Sequence, residues 1–311
     1  MGAKVDFTSH IKISGKTNAN GLLRTYGYYD LTDEMISQIT NTPTIKFVQI
    51  SEPLPQQAYI AIDKILEKRE DMHFRIYGLL QGVQFDLSCL YFLKHLKHLT
   101  LDVHLKDRQD LLDLSVLTKL KNLQTLRLAL FDLKDYSFIK DLSSDIEELC
   151  ISADTMGSSI VFDCDWLKRY QNLRTLYLGQ KARKHIEHIA ELESLENLTV
   201  RGIKLKNFDF LRGNGLRSLS IHLCSMNDLT SLTGFDSLKS LELWRIARLE
   251  DISFIATLTG LEHLCLRDLK HITTLPDLSA LERLQEIILN NVPIDVAAIP
   301  ADLQKIICKY R

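Results

Sequence analysis

The chain has 311 residues, of which 45% are hydrophobic and 25% are charged, the composition of a folded protein rather than a disordered one. Its 38 Lys and Arg residues against 40 Asp and Glu residues give a net charge of −2. This balance argues against nucleic acid as a partner, because phosphate affinity comes from an excess of cations. No segment approaches the roughly 18 apolar residues of a membrane-spanning helix, and the first residues lack the apolar core of a signal peptide. We therefore expect a cytoplasmic protein without a membrane partner.

The first 90 residues differ from the rest. Two stretches of alternating apolar and polar residues, VDFTSHIKI and LLRTYGYY, are separated by KTNANG, whose Asn and Gly favour a hairpin turn. The tripeptide at 15–17, GKT, is similar to the end of a phosphate-binding loop, but His10 stands where that loop requires its first Gly. We expect helices at about 31–39 and 58–68, with the apolar spacing of an amphipathic helix in the second.

A spacing of the form L-x-x-L-x-L then recurs to the end of the chain, at intervals of 19 to 27 residues. Each copy predicts a short strand with apolar side chains on one face, followed by a short helix or 3-10 turn after an Asp, Ser or Thr cap. The middle apolar residues of the twelve copies are Val48, Phe74, Leu99, Leu126, Leu149, Leu176, Leu198, Leu219, Leu241, Leu264, Ile287 and Ile306.

The block DISFIATLTGLEHLCL at 251–266 resembles the leucine-rich repeat, in the short-repeat class of bacterial internalins and of a eukaryotic phosphatase regulator. The resemblance implies an α/β solenoid, a curved array with about twelve parallel strands on its concave face and short helices or 3-10 turns on its convex face. We assign residues 1–90 to an N-terminal cap with atypical first repeats, 91–290 to regular repeats and 291–311 to a polar closing unit.

One position departs from the family pattern. The family places Asn three residues after the last strand Leu, and only Cys224 fits the wider Asn-or-Cys rule here. We therefore expect an irregular turn column. The nine residues at this position are His104, Phe131, Asp154, Lys181, Ile203, Cys224, Ile246, Leu269 and Val292.

The residues between the strand leucines point to the concave face and are free for binding. Trp244 lies among Arg and His residues of one column, the composition of a protein-binding hot spot, although it could also pack onto its own neighbours with arginine stacked on the ring. We expect Trp166, by contrast, in the core. The candidate partner-binding residues are Arg201, His222, Glu242, Trp244, His263, Arg267, Arg75, Tyr77, Arg127 and Tyr177.

The sequence contains no G-x-S-x-G elbow and no H-E-x-x-H motif. His185 and His188 lie three residues apart without a visible third ligand, so we expect surface roles for them and neither metal nor cofactor. The six cysteines form no C-x-x-C pair, which favours free thiols, with Cys150 and Cys265 the first to react. The segment from Trp166 to Arg217 contains eleven basic and five acidic residues, and this local excess of positive charge would attract an acidic partner surface.

These features favour a non-catalytic scaffold that holds one protein partner on its concave sheet, monomeric when free. An inhibitor, such as an immunity protein that neutralises a toxin, is the first hypothesis. The alternative is a regulatory subunit or adaptor of an enzyme such as a phosphatase, and an enzyme hidden in the first 90 residues is the third.

Overall fold

The computed structural model describes residues 9–17, 24–78, 84–106, 108–155 and 159–309. The chain divides into two compact units, Met1–Val161 and Phe162–Arg311.

The first unit is built on seven parallel strands in the spatial order β2-β1-β3-β4-β5-β6-β7. The strands are β1 (His10–Ser14), β2 (Arg24–Gly27), β3 (Phe47–Ile50), β4 (His73–Tyr77), β5 (His98–His104), β6 (Thr125–Phe131) and β7 (Glu148–Ile151). The 3-10 segments of this unit are Tyr28–Asp30, Leu87–Phe92, Gln109–Leu111, Leu114–Lys119 and Ser137–Asp141.

The predicted N-terminal hairpin is wrong. β1 and β2 run parallel, with Ile11 opposite Arg24 and Ser14 opposite Gly27, whereas hairpin strands are antiparallel. β1 lies between β2 and β3 and is parallel to both. Residues 18–23, which connect β1 to β2, lie outside the described residues. The described chain accordingly holds fourteen strands, two more than the repeat pattern predicts.

Both helices predicted in the first unit are present. Helix α1 (Asp33–Thr40) begins after Thr32, whose hydroxyl accepts a hydrogen bond from the Met35 amide. Helix α2 (Gln56–Lys68) buries Ala58, Tyr59, Ile62, Ile65 and Leu66, a helical spacing that turns one face to the core. Of the helices in the described part of the chain, α2 is the longest, and none is long and apolar enough to cross a membrane.

The second unit has seven parallel strands in chain order, and each repeat contributes one. The strands are β8 (Thr175–Gly179), β9 (Asn197–Arg201), β10 (Ser218–His222), β11 (Ser240–Trp244), β12 (His263–Arg267), β13 (Glu286–Asn290) and β14 (Ile307–Lys309). The helical segments are 3-10 turns at Cys164–Arg169, Ile186–Glu191, Asp209–Leu211, Thr230–Leu232, Ser253–Thr257 and Val296–Ala298, and the short α3 (Ala301–Gln304).

Aspartates at the predicted capping position begin many of these segments. The carboxylate of Asp113 accepts a hydrogen bond from the Ser115 amide at 3.0 Å, and Asp251 accepts one from the Ser253 amide at 2.7 Å. Such a cap satisfies an amide that has no partner in the first turn. Where the sequence has Asp-x-Ser, as at Asp113 and Asp251, the pattern marks the beginning of an outer segment.

Burial alternates along the strands as the repeat pattern predicts. Leu219, Leu241 and Leu264 are in register on neighbouring strands and are at most 1% exposed, whereas the residues on either side of each are only half-buried or exposed. The last unit departs by one residue. Ile287 pairs with Ile307 rather than with Ile306, because α3 and the turn that follows it delay the start of β14. Tyr310 and Arg311 of the predicted closing unit lie outside the described residues.

The turn column is regular in the second unit, against the expectation. The residue after each of strands β9 to β12 has a φ between 52° and 64°. Its amide donates to the carbonyl of the last residue of the next strand, as from Gly202 to His222 and from Leu223 to Trp244, both at 2.8 Å. The backbone thus satisfies its own polar groups without an asparagine. The residues that follow are buried apolar side chains: Ile203, Cys224, Ile246 and Leu269.

Trp166 is half-buried and not a core residue. A 3-10 segment repeats every three residues, so Cys164 and Leu167 share the buried face and Trp166 falls between them. Its ring instead packs edge-to-face on Phe162 at a centroid distance of 5.9 Å.

Candidate functional site

Four side chains follow one column on the outward face of strands β9 to β12. Arg201 pairs with His222, His222 with Trp244, and Trp244 with Arg267 in the parallel register. We call these four residues the Trp244 strip, and the face on which they lie, predicted to be the concave one, the open face. Neighbouring strands lie about 4.8 Å apart, so the strip is roughly 15 Å long.

Trp244 is held by contacts on three sides. The guanidinium of Arg267 stacks over its indole at 5.3 Å from the ring centroid, and His222 packs edge-to-face at 5.2 Å. The indole Nε1 donates a hydrogen bond to Asp268 Oδ2 at 2.9 Å. The self-packing alternative is therefore correct for Arg267. The ring remains half-buried, with part of its surface exposed on the open face.

Glu242 provides the negative charge beside the strip. Arg267 Nη1 donates a hydrogen bond to Glu242 Oε1 at 3.1 Å, and His222 Nε2 lies 3.2 Å from Glu242 Oε2, within ion-pair distance. The imidazole of His222 and then the Arg267 guanidinium hold the pKa of the Glu242 carboxyl below its ordinary value, although burial acts in the opposite direction. Glu242 is therefore ionised at neutral pH and orients both neighbours.

Sequence reasoning missed two residues of this site. Asp268 and Asn291 occupy the positive-φ turn position, with φ of 52° and 53°. Asn291 Nδ2 donates to Asp268 Oδ1 at 2.6 Å, and this bond and the bond from Trp244 lower the pKa of the Asp268 carboxyl. The signal was available, because Asp and Asn are enriched at positive φ and both directly follow a strand.

Arg201 and His263 are not part of this contact network. Within the described ranges, no acidic side chain lies within ion-pair distance of the Arg201 guanidinium, so it is available to a partner. His263 lies at the beginning of β12, and its Nδ1 faces Glu286 Oε2 at 3.6 Å. The strip therefore ends in one paired arginine, Arg267, and one unpaired arginine, Arg201.

The first unit carries the second candidate group, centred on Arg75 and Tyr77. Arg75 forms an ion pair with Asp102, donates to Gln49 Oε1 at 3.2 Å, and stacks over Tyr77 at 4.9 Å. Lys12 lies 6.0 Å above the same ring. The Arg75 guanidinium is thus engaged within the chain, which leaves less of it for a partner than Arg201 offers.

Beside this group, four rings stack along the beginning of the strands. Centroid distances are 4.3 Å from His10 to Phe47, 5.0 Å from Phe47 to His73, and 4.8 Å from His73 to His98. His98 Nδ1 continues the row with a contact of 2.8 Å to Thr125 Oγ1. Burial lowers the pKa of the His73 imidazole to about 3, and burial also lowers that of His98. His73 and His98 are therefore uncharged at neutral pH.

The remaining candidates are Arg127 and Tyr177. Arg127 on β6 forms an ion pair with Glu148, Nε to Oε1, at 2.6 Å. Tyr177 is half-buried on the open face of β8.

The histidine pair and the thiols form no metal site in the described residues. His185 Nδ1 contacts Asp163 Oδ1 and His188 Nδ1 contacts Asp165 Oδ1, each at 2.9 Å. No group of three His, Cys, Asp or Glu side chains in the described ranges could hold a metal ion. All six cysteines are free. Cys308 is exposed whereas Cys150 and Cys265 are half-buried, so Cys308 replaces that pair as the thiol expected to react first.

The parallel strands, the 3-10 segments and the repeating buried leucines define a leucine-rich repeat solenoid. No protein-family model matches the chain, and no curated protein sequence is similar to it. It is similar in structure to a leucine-rich repeat protein of Leptospira interrogans, with 18% identity over 88% of this chain and 73% of that chain, at a TM-score of 0.53. An internalin of Listeria monocytogenes has 17% identity over 84% of this chain and 82% of that chain, at a TM-score of 0.49.

Proposed function

We propose that the protein is a non-catalytic scaffold that binds one protein partner through the Trp244 strip. The observation that carries the proposal is the fixed indole of Trp244 among the charged and polar side chains of Arg201, His222, Glu242 and Arg267. Arg267, His222 and Asp268 already hold the ring in one position, so a partner that covers it costs little side-chain conformational entropy. Preorganised Trp and Arg residues dominate binding energies at protein interfaces.

The alternation of the strands supports this location. The leucines fill the inner face, so the side chains of the open face contribute little to the core and can vary with the partner. At one end of the strip, Arg201 adds a charge that has no acidic partner among the described residues. Trp166, the second tryptophan, lies on an outer 3-10 segment and serves as a matched control.

The experiment compares what three forms of the protein retain from the native cell lysate. Tagged wild type and Trp166→Ala should retain the same chain in stoichiometric amount, and Trp244→Ala should lose it while melting at nearly the same temperature. Equal retention by all three forms would place the site elsewhere, with the Arg75 and Tyr77 group as the next surface to test.

Within this class, the sequence leaves two finer hypotheses, a cytoplasmic inhibitor such as an immunity protein and a regulatory subunit of an enzyme such as a phosphatase. The activity of the captured partner, assayed with and without the scaffold, separates them: an inhibitor abolishes a toxic activity, and a regulator redirects an enzyme that works without it. Light scattering of the free protein tests the expected monomer.

A further inference from the structure

A second feature of the second unit is the charge along one edge of its sheet. We call the five residues after each of strands β8 to β13 the strand-end edge, and the five residues before each of them the strand-start edge. The strand-end edge contains eight Lys and Arg residues against two Asp residues. The basic residues are Lys181, Arg183, Lys184, Lys204, Lys206, Arg245, Arg248 and Lys270.

The opposite edge shows that this excess is local. The strand-start edge holds four basic and five acidic residues, and several of them pair across neighbouring repeats. Arg174 Nη1 lies 3.4 Å from Glu196 Oε1, and Lys239 Nζ lies 2.8 Å from Glu262 Oε1. Since the whole chain has a net charge of −2, any attraction for an acidic ligand must come from a local surface such as the strand-end edge.

The turn geometry explains why these cations face solvent. The residue that directly follows each strand has a positive φ. For β9 to β12, the second residue after the strand is buried in the core, as are Ile203 and Leu269, and the third is exposed, as are Lys204 and Lys270. Lys184 is also exposed, but it forms an ion pair within the chain, with its Nζ 2.8 Å from Asp163 Oδ2. Six cations are exposed without an acidic side chain within ion-pair distance in the described ranges: Arg183, Lys204, Lys206, Arg245, Arg248 and Lys270.

This edge is continuous with the Trp244 strip. Arg245 and Lys270 line a cavity of about 420 Å³, and Asp268, which holds the Trp244 indole, forms another part of its wall. Asp268 accepts hydrogen bonds from the neutral donors Asn291 and Trp244, so it keeps its negative charge on the wall that it shares with Arg245 and Lys270. From the turn after β8 to the turn after β12, four strand spacings cover roughly 19 Å, the length of about six residues of extended peptide.

We propose that the partner of the Trp244 strip carries an extended acidic segment that lies along the strand-end edge of the second unit. This inference rests on the proposed function, because it names the chemistry of the same partner. A polypeptide suits the edge better than single-stranded nucleic acid does, since nucleic-acid grooves alternate cations with aromatic rings on which bases stack. The strand-end edge has no Phe, Tyr or Trp residue in any of its turns.

The first test uses a fluorescent oligoglutamate peptide and an oligothymidylate of equal charge as probes of the whole protein. The wild type should bind the peptide, and the double variant Lys204→Glu, Lys270→Glu should bind it about tenfold more weakly or worse, with a smaller dependence on salt. The charge-matched control reverses Arg217 and Arg283, which are exposed on the strand-start edge, and should bind the peptide as the wild type does. Failure of the wild type to bind, equal loss in both double variants, or tighter binding of the oligothymidylate would overturn the proposal.

A second comparison separates this inference from the proposed function. The captured partner is titrated against Trp244→Ala and against Lys204→Glu, Lys270→Glu. Loss with both variants supports both proposals. If only Trp244→Ala loses affinity for the partner, the Trp244 strip remains the binding site and the acidic-segment proposal is overturned. If only the charge-reversal variant loses affinity, the proposal that the Trp244 strip is the binding site is overturned.

Discussion

Truncation of Leu241 tests the register of the repeat core. Leu241 is fully buried on β11, with Leu219 and Leu264 directly opposite on the two neighbouring strands. Because the repeats on both sides are fixed by their own leucines, the site has little freedom to collapse. We expect Leu241→Ala to lower the free energy of unfolding by roughly 3–5 kcal/mol, the cost of a truncated core leucine that leaves a cavity.

The assay is urea denaturation followed by tryptophan fluorescence. The chain has two tryptophans, Trp166 and Trp244, and both lie in the second unit, so their emission reports on the unit that contains Leu241. The matched control is Ile288→Ala, an aliphatic residue of similar size on the open face of β13, and it should cost about 1 kcal/mol or less. A loss below about 0.5 kcal/mol at Leu241, or an equal loss at both positions, would refute the register.

Cys308, the exposed thiol, should react first with a maleimide, because burial raises the pKa of Cys150 to about 11 and that of Cys265 to about 12. The variant Cys308→Ser should therefore abolish the fast phase of labelling. Peptide mapping that finds Cys150 or Cys265 labelled first would contradict this expectation. The His73 imidazole should stay neutral down to about pH 4 in an NMR titration, and a midpoint near 6.5 would show that the ring row is open to water. Because the unfolded chain binds that proton at about pH 6.5 and the folded chain only near 3, the contribution of His73 to stability should be complete above pH 6.5 and should fall as the pH drops towards 3. Trp166→Ala should lower the melting temperature by only a few degrees, because the ring is half-buried. A decrease in melting temperature as large as that caused by Leu241→Ala would show that Trp166 is a core residue.

The repeat pattern predicts most of the fold for a physical reason. Leucines spaced L-x-x-L-x-L can be buried only by stacking one repeat on the next, so the spacing specifies strand, face and neighbour together, as Leu219, Leu241 and Leu264 show. The errors occur where this constraint is weak. β1 and β2 lack the leucine spacing, and alternation alone does not decide between parallel and antiparallel pairing. At Trp166, the 3-10 turn buries Cys164 and Leu167 and leaves the ring between them, which the repeat spacing does not predict.

The candidate site was predicted in part. The column that contains Arg201, His222, Trp244 and Arg267 follows from strand alternation, and the structure confirms its register. The partners Asp268 and Asn291 were missed because they lie in the turn, outside the alternation that identified the others. Which arginine is paired depends on side-chain geometry that no linear pattern encodes.

The most direct test of the proposed binding site is a calorimetric titration of the purified partner against wild type, Trp244→Ala and Trp166→Ala, with a thermal melt of each form. Trp244→Ala should weaken binding by about 2 kcal/mol, roughly a 30-fold rise in Kd, with nearly unchanged melting because the ring lies outside the leucine core. Trp166→Ala should bind as the wild type does. An unchanged Kd for Trp244→Ala, or a loss of affinity matched by a loss of folding, would contradict the Trp244 strip as the site of partner binding.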